Sequence, residues 1–283
     1  MIRLRFLLAY RGEGFHGWQL QPASQGRTVQ GCLEEALFRL CGTPVRVHGS
    51  GRTDAGVHAL GQVAHADAPE GKAGLPWRKA LNALLPPDLS VLSAEPAPEN
   101  FHARFSALSK TYSYTLWLEP GFVLPQREPF VWDAARHGAP DPALMEEAAA
   151  ILTGERDFKA FQNAGTPVRN TVRVIHSISR HPGPTPFEEV WMFRANGFLK
   201  QMVRNLMGCM VAAGRGKVSP LHIRSLLTEP DRTRAPATAP AKGLCLEHVE
   251  YADDGDRDQR PLFHRPASGQ GTGPERGGGR PQG

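Results

Sequence analysis

The sequence predicts an α+β protein, built as two similar α/β halves around mixed, largely antiparallel sheets. Three observations carry that expectation. Segments whose hydrophobicity alternates with a period of two recur along the chain. Amphipathic stretches of helical period fall between them, bounded by helix-starting and helix-stopping residues. The chain of 283 residues is 40% hydrophobic, enough to bury a substantial core.

The elements follow in order. Ile2, Leu4, Phe6 and Leu8 alternate with Arg3, Arg5 and Leu7, the pattern of a half-buried strand. Thr28 is placed to cap a helix carrying Val29, Leu33, Leu37 and Leu40, with Gly42 beyond its end. Pro44 to His48 and Gly61 to His65 have extended character. Pro76 opens a second helix using Trp77, Leu81, Leu84 and Leu85, which Pro86-Pro87 stops, and a strand at Leu89 to Ala94 completes the first half, residues 1–104. The second half, 105–251, starts with clean alternation from Lys110 to Leu118. Asp141-Pro142 opens a helix through Leu144, Met145, Ala148 and Leu152. Strands are expected at Thr171 to Arg180, Glu188 to Ala195 and Leu244 to Tyr251, with a helix bearing Leu199 to Met210 and a short one from Ser219-Pro220. The halves share element types and no sequence repeat. Residues 252–283, rich in Gly, Pro and Arg without apolar periodicity, are expected to be a disordered tail.

Composition narrows the function. No apolar run approaches the ~20 residues needed to span a bilayer, and the N-terminus reads as a strand, so a cytoplasmic protein is expected. The four cysteines contain no C-x-x-C pair, which argues against a zinc ribbon or a disulfide framework and for small buried hydrophobes. Net charge is +5, and the tail balances five acids with five arginines, so the body carries the excess. A phosphate-bearing partner would suit that balance.

The chemistry is sought first in Gly49-Ser50-Gly51-Arg52-Thr53-Asp54-Ala55-Gly56-Val57-His58. Its glycines permit positive φ and close approach of another segment, and extended sequence flanks it on both sides. Such a stretch is either a solvated hairpin turn or a loop that builds a site. Asp54 can act as base, metal ligand or nucleophile. Arg52 is its only charged neighbour in the loop, and an arginine beside a carboxylate favours the charged form, which suits a nucleophile better than a general acid. No second carboxylate or helical histidine pair supports a metal site. Tyr112 lies in an alternating strand, where an aromatic is either core or site wall, and Lys110 marks that strand's entry as a possible phosphate contact. Lys200 and Arg204 stand one turn apart in the expected helix, either as a solvated flank or with one turned inward to a carboxylate. Phe101-His102-Ala103-Arg104-Phe105-Ser106 interleaves a cation with aromatics, as nucleic-acid surfaces and packed cores both do.

Taken together, Gly17-Trp18-Gln19, the Gly51 to His58 segment, Phe101 to Ser106, Lys110-Thr111-Tyr112-Ser113-Tyr114, Met202-Val203-Arg204-Asn205 and Gly243-Leu244 resemble the tRNA pseudouridine synthase A family, in the family's order. The Gly51 to His58 segment is highly specific and the others moderately so. The resemblance implies a central catalytic cleft between the halves, a homodimer, no cofactor, and isomerisation of uridines 38, 39 and 40 in the tRNA anticodon arm. It implies Asp54 as the catalytic aspartate, Arg204 as its ion-pair partner, and Tyr112 as the tyrosine that packs on the target base. Arg52 matches the loop arginine set against the RNA. Leu244, Arg104, Lys110 and Lys200 are the further candidates for substrate contact. The alternative from another class is a non-catalytic tRNA-binding protein of the same fold.

Overall fold

Alternation at the N-terminus becomes β1 (Ile2–Tyr10), whose Leu4, Phe6, Leu8 and Tyr10 point into the core. The structure is a computed structural model and describes residues 1–163 and 168–252, so the expected tail lies outside the described residues but for Ala252. Thr28 caps α1 (Val29–Cys41) by accepting the Gly31 amide at 3.1 Å, and Gly42 closes it in the left-handed conformation. β2 (Val47–Gly49) and β3 (His58–Ala68) flank the Asp54 loop. Pro76 stands just before α2 (Trp77–Asn82), and β4 (Leu89–Pro96) follows.

In the second half, β5 (Ala107–Trp117) and β6 (Trp132–Asp133) precede α3 (Pro142–Leu152), which Asp141 caps through the Ala143 amide. Then come β7 (Gly154–Asp157), β8 (Val172–Pro182), β9 (Glu188–Ala195), α4 (Met202–Gly214), α5 (Pro220–Thr228) and β10 (Leu244–Tyr251).

The two halves share one ten-stranded sheet with the path β4-β1-β3-β10-β5-β9-β8-β7, while β2 pairs with β3 and β6 with β5. β3–β10 and β5–β6 are parallel and every other pair is antiparallel. The last strand of the described chain therefore sits in the middle of the sheet, between the halves. It meets β3 at Cys245↔His58 and Leu246↔Ala59, and β5 at Leu246↔Tyr112. That register brings the end of the Asp54 loop and the centre of β5 to the same stretch of sheet.

Several expectations are corrected. The alternation read over Lys110 to Leu118 is not matched by burial: Tyr112 to Trp117 are all buried, on both faces of β5. Leu84 and Leu144, assigned to apolar helix faces, are exposed. Only Cys209 of the four free cysteines is fully buried. The helix expected from Leu199 begins at Met202, since Gln201 is in the left-handed region at φ 62° and breaks the helical path. Lys200 consequently lies before the helix and shares no face with Arg204.

Candidate active site

The Asp54 loop is held from three sides. From the N-terminal segment, the Trp18 amide donates to Thr53 O at 3.0 Å, and Gly17 at φ +90° passes so close that a Cβ there would sit 2.8 Å from the same oxygen. Only glycine allows that approach without moving the loop. The Trp18 segment is itself tied to the first turn of α1, whose Val29 and Gln30 amides donate to Gly17 O and Trp18 O. From inside the sheet, Gln62 Nε2 donates to Gly51 O at 3.0 Å, the Ser50 hydroxyl donates to Gln62 Oε1 at 2.7 Å, and the Tyr10 hydroxyl pairs with Thr53 Oγ1 at 2.8 Å. From β5, Lys110 Nζ donates to Ser50 O at 2.6 Å. Past the loop, the Val57 amide donates to Asp54 O at 3.2 Å, closing a turn in which Gly56 takes φ +79°. His58 then pins the loop's exit: its Nδ1 accepts the Gly12 amide and its Nε2 meets Pro129 O at 2.9 Å. Burial lowers the His58 pKa, in keeping with a neutral ring holding both contacts.

This scaffold presents Asp54 to Arg204 on α4, across 150 residues of sequence. Arg204 NH1 donates to Asp54 Oδ2 at 3.0 Å, and its Nε donates to Ala239 O at 2.9 Å. The Ala239 amide returns a bond to Arg204 O at 3.1 Å, so one backbone residue clamps both ends of the arginine. Asn205 secures that strap, with Nδ2 on Phe161 O and Oδ1 accepting from Thr238 and Arg232. Side-chain exposure is 15% for Arg204 and 21% for Asp54, a pair shielded from bulk water yet open on one side. Asp54 Oδ1 has no hydrogen-bond partner among the described residues. The pair is therefore a directed carboxylate with one oxygen committed and one available.

Tyr112 stands beside it. Its ring meets Phe198 edge-on at 5.2 Å and 88°, and its hydroxyl has no hydrogen-bond partner among the described residues. Burial first, then the negative charge of neighbours including Asp54, pushes its phenol pKa up, so it remains a proton donor. Leu244 is buried at the head of β10 opposite Tyr114, where Gly243 packs against the Tyr114 ring and Pro240 O accepts the Tyr114 hydroxyl at 2.7 Å.

The other candidates divide. Arg52 is exposed at the loop tip, with no ion pair or hydrogen bond among the described residues, and so is not Asp54's partner. Lys110 reaches the loop backbone, and burial followed by repulsion from Arg104 lowers its pKa to about 8. Arg104 is exposed over the Phe105 ring at 5.6 Å. Lys200 is exposed and forms no side-chain contact with the pair. The bracing residues Tyr10, Gln62 and Ala239 carry no sequence signal of their roles, because each acts on a partner brought near by the fold. His58 and Asn205 lay inside the quoted motif segments and could have been singled out there.

An aspartate held by an arginine, with a buried tyrosine in its electrostatic reach, on a mixed sheet, makes a candidate site centred on a carboxylate. The family model described as tRNA pseudouridine synthase matches residues 7–106 and 148–252. The chain belongs to that family. It is 58% identical over 272 residues to tRNA pseudouridine synthase A of Solidesulfovibrio magneticus, covering 96% of this chain and 99% of the relative. The protein of the same name from Maridesulfovibrio salexigens is 52% identical, with 90% and 92% covered, and that from Burkholderia mallei 41% identical, with 89% and 90% covered. Among solved structures, a Cbf5-Nop10-Gar1 complex superposes at a TM-score of 0.32 and 10% identity over 86% of this chain and 57% of that one, too weak a likeness to argue from.

Proposed function

We propose that this chain isomerises uridine to pseudouridine in the anticodon stem-loop of tRNA, with Asp54 as the catalytic carboxylate and Arg204 as the residue that orients it. The observation that carries the reading is the 3.0 Å Arg204–Asp54 pair, which leaves one carboxylate oxygen available beside Tyr112. The reaction breaks the bond from uracil N1 to C1′, turns the base, and joins C5 to C1′. Its atoms balance with no oxidant, reductant or second substrate. What it needs from the protein is a held carboxylate, a place for the loosened base, and exclusion of competing water.

Each residue has a part in that chemistry. Asp54 Oδ2 is anchored, so Oδ1 meets the nucleotide in a fixed direction. Tyr112, edge-packed on Phe198, offers a ring face to the uracil and a protonated hydroxyl to its polar edge. A uridine in a paired stem must leave the stack, at a cost of a few kcal/mol. Arg52, unpartnered at the loop tip, is placed to occupy the space the base leaves, and Arg104, Lys110 and Lys200 to contact the backbone. Residues 1–104 then contribute the aspartate loop and 105–251 the tyrosine and arginine, in a protein that acts as a homodimer.

The test is release of tritium from tRNA carrying 5-tritiated uridine. Asp54→Asn, which preserves shape and removes the charge, should abolish release while tRNA binding stays within a few-fold of wild type. Release near the wild-type rate would overturn the assignment. Binding by wild type with no release under any condition would favour the non-catalytic alternative.

A further inference from the structure

One feature of the surface plays no part in the proposed chemistry. Phe105 is 76% exposed, on a turn whose backbone is pinned by hydrogen bonds. The Ser106 amide donates to His102 O at 2.9 Å, the His102 amide donates to the Ser106 hydroxyl at 3.0 Å, and His102 Nδ1 accepts the Arg104 and Phe105 amides. Behind Phe105 runs a ladder of rings. His102 lies 4.4 Å from Phe105, His65 lies 4.6 Å from His102, and His48 is stacked on His65 at 5.1 Å and 22°. Arg104 stands over the Phe105 ring and has no carboxylate within ion-pair distance among the described residues.

We propose that Phe105, backed by His102 and His65 and flanked by Arg104, is a stacking platform for an unpaired base of the tRNA substrate, separate from the target uridine. A fixed, outward aromatic with a cation beside it takes a nucleobase by its π-face, and a base needs no particular identity to stack there. The target uridine is assigned to Tyr112, so the base on Phe105 is a different one. His48, stacked on His65 and paired with it between β2 and β3, directly precedes the Asp54 loop, so the platform flanks the entry of that loop. Charge favours RNA over a second protein here. Arg104 is exposed beside the ring with no carboxylate in ion-pair distance among the described residues, which suits a phosphate backbone. Such a contact would help hold the tRNA across the entry of the Asp54 loop.

The inference rests on tRNA being the substrate, and its test is binding rather than turnover, so it can fail independently of the catalytic reading. Dissociation constants for full-length tRNA would be measured with wild type, Phe105→Ala and Phe105→Trp. Phe105→Ala should weaken tRNA binding by between about fivefold and a hundredfold, and Phe105→Trp should bind within about twofold of wild type. Loss with both substitutions, or with neither, overturns the platform. A Phe105→Ala loss that tracks a shift from dimer to monomer on light scattering overturns it in favour of a protein interface.

Discussion

The buried imidazole of His65 makes stability pH-dependent in a window where most side chains do not titrate. His65 is 3% exposed, and its Nδ1 accepts the Ala103 amide at 3.2 Å, a contact that requires the unprotonated nitrogen. Burial, then the neighbouring His102, His48 and Arg3, lower its pKa from 6.5 to about 4, with Asp67 opposing only in part. The unfolded chain therefore binds a proton that the folded chain refuses, and stability falls as pH drops from 6.5 toward 4. Between about pH 7.5 and about pH 5, the linkage relation makes His65 alone worth about 2 kcal/mol. For a domain of this size that is about 4–8 °C in midpoint. The perturbation is His65→Asn, which puts a non-titrating amide oxygen near the position of Nδ1. Urea unfolding of both proteins at the two pH values separates a constant packing loss from the pH-dependent part. Wild type should lose about 2 kcal/mol more than the variant on acidification, while His58, also lowered and not among the groups that face His65, contributes equally to both. Parallel losses would refute the argument.

Three further expectations follow from the site and the sheet. Arg204→Lys keeps the charge but cannot bond Asp54 and Ala239 O together, so kcat for pseudouridine formation should fall about 10²-fold with KM little changed. Lys110 is charged below about 8 and neutral above, so if it contacts phosphate, tRNA affinity measured by filter binding should weaken as pH rises through that value. Lys110→Arg, charged throughout, should flatten the dependence. Glu247 is buried, gives Oε1 to the Ser113 hydroxyl, and leaves Oε2 without a partner among the described residues. Burial raises its pKa, so the folded state holds the proton longer, and the stabilisation present below 4.5 is lost as pH rises through the raised value. Glu247→Gln should be at least as stable as wild type at about pH 8 by thermal melting, with a flatter pH dependence.

Much of the local structure was legible. Thr28, Asp141 and Ser219 cap helices where their spacing to apolar runs indicated, because a side-chain cap acts within three residues. Strands β1 and β10 form where period-two patterning or extended character was read, because successive side chains of a strand point to opposite faces. The start of α4 was not legible. Periodicity of Leu199, Met202 and Leu206 suits a longer helix, and only the surrounding structure holds Gln201 at φ 62°. Arg52 shows the limit of nearness in sequence: the loop alone offered it as Asp54's only charged neighbour, the motif resemblance pointed to Arg204 instead, and in the structure Arg204 holds Asp54 while Arg52 is exposed.

By itself, the sequence determined the element types, the loop that carries Asp54, and through its motifs the family. Those are short-range properties, set by turn chemistry, capping and the period of apolar residues. The tertiary structure decided what Asp54 faces. Insertion of β10 between β3 and β5 brings the two halves into one sheet, and the Ala239 strap aims Arg204 at the carboxylate. Side-chain direction here depends on contacts far apart in sequence, 35 positions for Arg204 and Ala239 and 150 for Arg204 and Asp54, and no local pattern encodes them.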